Sequence, residues 1–208
     1  MAAAITAAIR EKPIAVLAKG AQRGAKPPFG DSTAGNLIAD AQLAYGKKRG
    51  TADIAITNSG GIRADLTVEP GRAVTLSELF AIQPFGNDLV AVTIAGAQLQ
   101  ELVRRQLPKR PGAASLQISH NVNYQWSQAE GAAPILESLT VNGKPVEPDR
   151  DYRVVVSTFL ADGGDNFSAL RQGRDRQVLG PDIDALVDWL AENPKAVDQI
   201  NPGRIQRN

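Results

Sequence analysis

The chain has 208 residues, 43% of them hydrophobic and 22% charged, enough for one large domain with a buried core and too rich in apolar residues for a disordered tail or a fibre. Its 23 lysines and arginines nearly balance 22 aspartates and glutamates, and the longest basic run is Lys47-Lys48-Arg49, so a dedicated nucleic-acid surface is not expected. The absence of cysteine excludes disulfides, thiolate metal ligands and cysteine nucleophiles. A single histidine, His120, argues against a zinc or two-metal hydrolase centre within this chain, because such centres recruit several imidazoles.

Met1 to Arg10 is apolar but has no basic segment before it and no cleavage pattern after it, so it reads as a fragment start rather than a secretory leader. No stretch approaches the roughly 20 apolar residues that span a bilayer. Residues 11–28 mix glycine, proline and charge without periodicity and read as a linker, which partitions the chain into an arm, 1–28, and one domain, 29–208.

From Asp31 the spacing of Leu37, Ile38, Ala41 and Tyr45 predicts a helix that closes on lysines and Gly50. Ala52 to Thr57 predicts a strand stopped by Asn58-Ser59-Gly60-Gly61. Thr75 to Ile82 predicts a short helix with a Thr75/Glu78 capping box, ending before Pro84-Phe85-Gly86. Asp88 to Ile94 alternates as a strand, and Ala97 to Leu107 places Leu99, Leu102, Val103 and Leu107 on one helical face. Strands follow at 116–120, 122–126, 136–141 and 152–157, with Asn142-Gly143 as a hairpin turn. Asp165 to Leu170 and Asp182 to Glu192 predict two further helices, the second preceded by Pro181. The class is mixed α and β.

Familiar catalytic motifs fail. Neither a G-x-x-x-x-G-K-[ST] phosphate loop nor a G-x-G-x-x-G turn is present. Thr57 to Gly61 lacks the first glycine of a nucleophile elbow, and Gly30-Asp31-Ser32-Thr33 lacks the C-terminal histidine that a GDSL-type hydrolase needs. His120, in a predicted strand, reads as structural, and the Asn166-Phe167-Ser168 sequon reads as chance.

Three glycine-bearing loops remain. In Asn58 to Arg63 the glycines admit close approach of backbone amides to a ligand, and Arg63 offers a planar fork for phosphate oxygens. Pro84 to Asn87 puts Phe85 at a turn. Phe159 to Phe167 leaves another strand and combines an aromatic ring, a glycine pair and the Asp165 carboxylate. Taken singly, Arg63 reads as a solvated arginine, Phe85 and Phe159 as core and Asp165 as a helix cap. Their joint placement at strand ends, where ligand sites of α/β proteins gather, favours a site for base, sugar and phosphate.

The ordered segments GNLIADAQL (35–43), NSGGIR (58–63), LSELFAIQPFGN (76–87), LTVNGKPV (139–146) and FLADGGDNF (159–167) resemble the C-terminal domain of the 5'-nucleotidase family, over about Gly20 to Glu192. That family includes periplasmic UDP-sugar hydrolases, ecto-5'-nucleotidases and cyclic-nucleotide phosphodiesterases. The resemblance implies a single domain with a mixed sheet and packed helices. It also implies a nucleotide-binding role in which Phe85 and Phe159 sandwich the base, Asp165 binds the ribose hydroxyls and Arg63 faces the phosphate. Asn58 and the amides of Gly60 and Gly61 would line the pocket, and Arg23 is the one arginine of the preceding arm that could match a second phosphate-side arginine.

The resemblance further implies that catalysis belongs to a separate N-terminal metallophosphoesterase domain, which would hold divalent ions such as zinc or manganese and deliver water to the phosphorus after a domain rotation. No cofactor is then expected in this chain, and a nucleotide or nucleoside is its expected ligand. Periplasmic or extracellular placement follows by the same resemblance. Two alternatives stand beside it: a thiosulfohydrolase of sulfur oxidation with the same two-domain plan, and a binding module with no catalytic partner.

Overall fold

Alternation of apolar side chains along three strands organises the centre of the molecule. In the computed structural model, which describes residues 11–24, 30–107 and 116–208, β2 (Ile54–Asn58), β4 (Asp88–Ala95) and β9 (Asp151–Ser157) form the middle of a five-stranded sheet. Ile54, Ile56, Val90, Val92, Val154 and Val156 point to one face, and Ala55, Leu89, Ala91 and Val155 to the other, as the two-residue period of a strand requires. The edges are β5 (Leu116–Ile118) and β10 (Arg174–Pro181), in the order β10-β4-β9-β2-β5.

Each face of this sheet is covered. On the first lie α3 (Gly96–Gln106), through Leu99, Leu102 and Val103, and a four-stranded sheet of β6 (Val122–Ser127), β7 (Ile135–Val141), β8 (Lys144–Pro145) and β11 (Ile205–Arg207), which contributes the fully buried Tyr124 and Trp126. On the second lies α1 (Thr33–Arg49), whose Leu43 and Tyr45 meet the sheet while Leu37, Ile38 and Ala41 meet Ile183, Leu186 and Leu190 of α5 (Asp182–Glu192). Covered on both sides, α1 buries even Asn36, Asp40 and Gln42.

Burying polar groups requires partners, and the C-terminal segment supplies them to Asp40 and to Asn36 Nδ2. Arg204 donates to both oxygens of Asp40, at 2.9 and 2.7 Å, and to the carbonyl of Ile118 at 2.7 Å. Asp31 accepts the backbone amides of Gly203, Arg204 and Ile205 together with Asn36 Nδ2. The carboxyl of Asp40 is opposed by its own burial, yet hydrogen bonds from His120 and Arg204 hold it below the usual aspartate value. Ser32 caps α1 by accepting the Gly35 amide at 3.0 Å. The Gly30-Asp31-Ser32-Thr33 segment and His120 are thus parts of a structural clamp.

Among the described residues the predicted strands and helices are present with one exception, and the structure adds strands that no apolar pattern announces, among them Ala73–Thr75, Lys144–Pro145 and Ile205–Arg207. Residues 13–21, read as linker, carry β1 (Pro13–Val16), which pairs with β3 (Ala73–Thr75), and place Leu17 and Ala21 in the core at 2% and 1% exposure. The predicted helix from Asp165 to Leu170 is instead two 3-10 turns, Gly164–Asn166 and Ser168–Gln172, because Asp165 and Asn166 adopt positive φ. Strand β10 was not foreseen: its first five residues are exposed at a sheet edge, so no apolar alternation announces it. Helix α2 (Leu76–Ile82) begins as predicted, with Glu78 accepting the Thr75 amide at 2.7 Å and Arg72 gripping the same carboxylate. Readings of Met1 to Arg10, and of the linker between 25 and 28, lie outside the described residues.

Candidate functional site

Strand direction decides where the glycine loops go. β2 runs parallel to β9, Ile54 opposite Val154, so both strands deliver their C-terminal loops to the same edge of the sheet. β4 is antiparallel to β9, Leu89 opposite Ser157, which brings the loop entering β4 to that edge as well. Three segments separated by up to a hundred residues of chain therefore meet at one rim, the ordinary location of ligand sites on open α/β sheets.

They enclose an open cleft of about 470 Å³. Asn58, Gly60, Gly61 and Arg63 line it from the first loop, Phe85 from the second, and Phe159 and Asp165 from the third. Asn87 and Ser157 complete the lining; both sit beside residues singled out from the sequence, and neither was itself selected because an asparagine after a turn and a serine at a strand end carry no distinctive signal. Phe85 and Phe159 are 57% and 46% exposed, so the core reading of both rings is excluded. Two exposed rings in one concave site offer apolar faces that water covers poorly.

Local structure explains how each group is held. At the end of β9, Ser157 accepts the Leu160 amide at 3.4 Å and starts the single turn α4 (Thr158–Ala161), which carries Phe159 outward. Gly163 ends the turn in the left-handed region at φ 87°, with its amide on the Leu160 carbonyl. The Phe159 ring rests directly on Gly164: a Cβ there would lie 2.4 Å from Cζ of the ring. Asp165 follows at φ 50°, ψ 32° and Asn166 at φ 65°, a conformation that these two residue types tolerate better than most. The Asp165 carboxylate accepts Asn58 Nδ2, and its carbonyl accepts Gln106 Nε2 at 3.0 Å.

The first loop is shaped to bring a cation to the cleft. The Arg63 amide donates to the Ile82 carbonyl at 2.9 Å, and its guanidinium lies 5.7 Å from the Phe85 ring centroid while donating to Gly60 O at 3.3 Å. A Cβ on Gly61 would come within 2.9 Å of Asn58 Oδ1, so the bare glycine lets the loop fold tightly over Asn58. Arg23 is the one selected residue outside the lining. Its guanidinium donates to the Arg63 carbonyl at 2.9 Å and its amide to Asp65 at 2.7 Å, so it meets the cleft through Arg63.

Behind the cleft, Asp182 donates its amide to the Asn87 carbonyl at 2.8 Å and accepts Asn87 Nδ2 at 3.5 Å. Burial pushes its carboxyl up to about 6, with Asp88 and Asp184 adding repulsion. Among the described residues no group of three or more histidine, aspartate or glutamate side chains is placed to hold a metal ion, and no helix is long and apolar enough to cross a membrane. The arrangement offers two exposed ring faces, one carboxylate and one guanidinium on a single cleft.

Residues 13–172 match the family model described as 5'-nucleotidase, C-terminal domain. The cell wall protein Lmo0130 of Listeria monocytogenes is 33% identical over 173 residues, which are 80% of this chain and 22% of that protein. The crystal structure of a 5'-nucleotidase precursor from Thermus thermophilus matches with a TM-score of 0.78 and 25% identity over 96% of this chain and 40% of its own. The sulfate thiohydrolase SoxB of Thermus thermophilus shares the fold, with a TM-score of 0.66 and 16% identity over 96% of this chain and 36% of its own. The chain thus spans less than half the length of each of these proteins.

Proposed function

The chain belongs to the 5'-nucleotidase C-terminal domain family, and from that premise we propose that it holds the nucleotide for a metal-dependent phosphoester hydrolase. The observation that carries this reading is the convergence of two exposed rings, Phe85 and Phe159, with Asp165 and Arg63 on a single cleft. The base stacks between the rings, a contribution of about 1 to 3 kcal/mol per base that tolerates any heterocycle. Asp165 accepts from the vicinal ribose hydroxyls, and Arg63 meets the phosphate through charge-assisted hydrogen bonds. Asn58, Gly60 and Gly61 border the base, and Arg23 steadies the Arg63 loop from outside.

Hydrolysis itself is assigned to an N-terminal metallophosphoesterase domain, whose divalent ions would activate the attacking water. This chain contributes orientation: it fixes base and sugar so that the phosphorus meets the nucleophile at one geometry. β1 and Leu17 are packed into the domain, so a rotation that delivers the substrate carries them with it. Activity in nucleotide catabolism outside the cytoplasm fits both the family and a cell wall relative.

The test is steady-state kinetics of the full-length protein carrying Phe159→Ala. The expected result is a KM for nucleotide raised about tenfold with kcat at saturation little changed, as for removal of uniform binding. An unchanged KM would refute the reading. The fold shared with SoxB admits a carrier-bound sulfur group as a second substrate class, but a pair of stacking rings beside a diol-binding acid serves no purpose on such a substrate.

A further inference from the structure

The sugar-facing acid occupies an improbable backbone conformation, and its support comes from elsewhere in the fold. Asp165 and Asn166 are consecutive non-glycine residues at positive φ, 50° and 65°. Such a pair persists only where its surroundings impose it. Within the loop, the 3-10 turn supplies the Phe167 amide to the Gly164 carbonyl at 3.0 Å, which closes the turn but leaves the Asp165 carbonyl to be satisfied from outside. Gln106, the last residue of α3, donates Nε2 to that carbonyl at 3.0 Å across 59 positions of chain. The same helix end braces the following turn, Arg105 Nη1 donating to Ser168 Oγ at 3.1 Å. Gln106 itself is not part of the cleft lining.

We infer that Gln106 is a positioning residue for sugar recognition: its amide pins the Asp165 carbonyl and so turns the Asp165 carboxylate toward the diol of a bound ribonucleoside. This rests on the reading of Asp165 as the ribose contact. A carbonyl freed from Gln106 gains water as a replacement, since this side of the loop is exposed, so the fold loses little. The carboxylate loses its fixed direction, and Asn58, which donates to the same carboxylate, holds it only from the cleft side.

The test compares binding of adenosine and 2',3'-dideoxyadenosine to the 208-residue chain by NMR titration, in wild type, Gln106→Ala, Gln106→Glu and Asp165→Ala. Glutamate keeps the length and packing of Gln106 but removes the donor. Loss of one directing hydrogen bond is expected to lower the adenosine-over-dideoxyadenosine preference about fivefold in both Gln106 variants, with dideoxyadenosine affinity and Tm unchanged. A merely structural role would weaken both ligands alike or lower Tm. If Asp165→Ala abolishes the preference while Gln106→Glu keeps it, the inference is overturned and the sugar contact stands. If Asp165→Ala leaves the preference intact, both fall.

Discussion

Replacing Gly164 by alanine probes the stacking slot without touching a residue that lines it. The added Cβ would lie 2.4 Å from Cζ of Phe159 and 2.6 Å from both Cε atoms, about 1 Å inside ordinary contact. Backbone strain plays no part, because the positive φ values of this loop fall on Gly163, Asp165 and Asn166 and not on Gly164. The ring must yield, and at 46% exposure it has room to swing with little loss of packing. Thermal stability should therefore change by less than about 0.5 kcal/mol, as for surface substitutions. With Phe159 stacking on the base as proposed, binding should change far more, because a swung ring would no longer face the base, and a lost stacking partner is worth about 1 to 3 kcal/mol, or roughly 5- to 150-fold in affinity. Titration of AMP against wild type, Gly164→Ala, Phe159→Ala and the double variant separates the causes. If the glycine acts through the ring, the double variant binds no worse than Phe159→Ala alone, a strong departure from additivity. Additive losses, or an unaltered affinity in Gly164→Ala, would refute the reasoning.

Two further outcomes concern the scaffold. Arg204→Ala leaves the Asp40 carboxylate at 9% side-chain exposure with its principal cation gone, so urea denaturation should show a loss of about 3 to 5 kcal/mol; a loss below about 1 kcal/mol would show that the C-terminal clamp is ornamental. Asp182 has a carboxyl pKa raised to about 6 in the folded chain, above its unfolded value, so the native state binds the proton more tightly and stability falls as pH rises between about 4 and 6. Asp182→Asn removes the titration, and its stability relative to wild type should improve across that window by about 1 to 3 kcal/mol and then level off; a flat difference from pH 4 to 7 would contradict the assigned shift.

Much of the site was legible before any fold was drawn. The glycines of Asn58 to Arg63 and of Phe159 to Phe167 mark strand ends, and aromatic, acidic and cationic side chains stand beside them and line one cleft in the fold. Helix α2 was legible to its cap because Thr75 and Glu78 stand three residues apart, a purely local device. Less local features escaped. The strand β1 has too short an apolar run to show against its glycine- and proline-rich flanks, and its pairing with β3 joins residues some sixty positions apart. The turns at Asp165 escaped for a different reason: aspartate and asparagine favour a helix start as readily as a left-handed turn, and Gln106, far along the chain, helps hold the turn.

By itself, then, the order of residues determined the types of the longer elements, the three loops and the chemical kinds of group they carry, because periodicity, capping and turn formation act over a few neighbours. Only the tertiary structure decided that those loops share one rim. The parallel pairing of β2 with β9 and the antiparallel return of β4 set that meeting, and strand direction depends on long-range packing of both sheet faces rather than on any local preference. The same packing set the Arg23 guanidinium against the Arg63 carbonyl, beside the cleft lining, and brought Asn87 and Ser157 to the cleft.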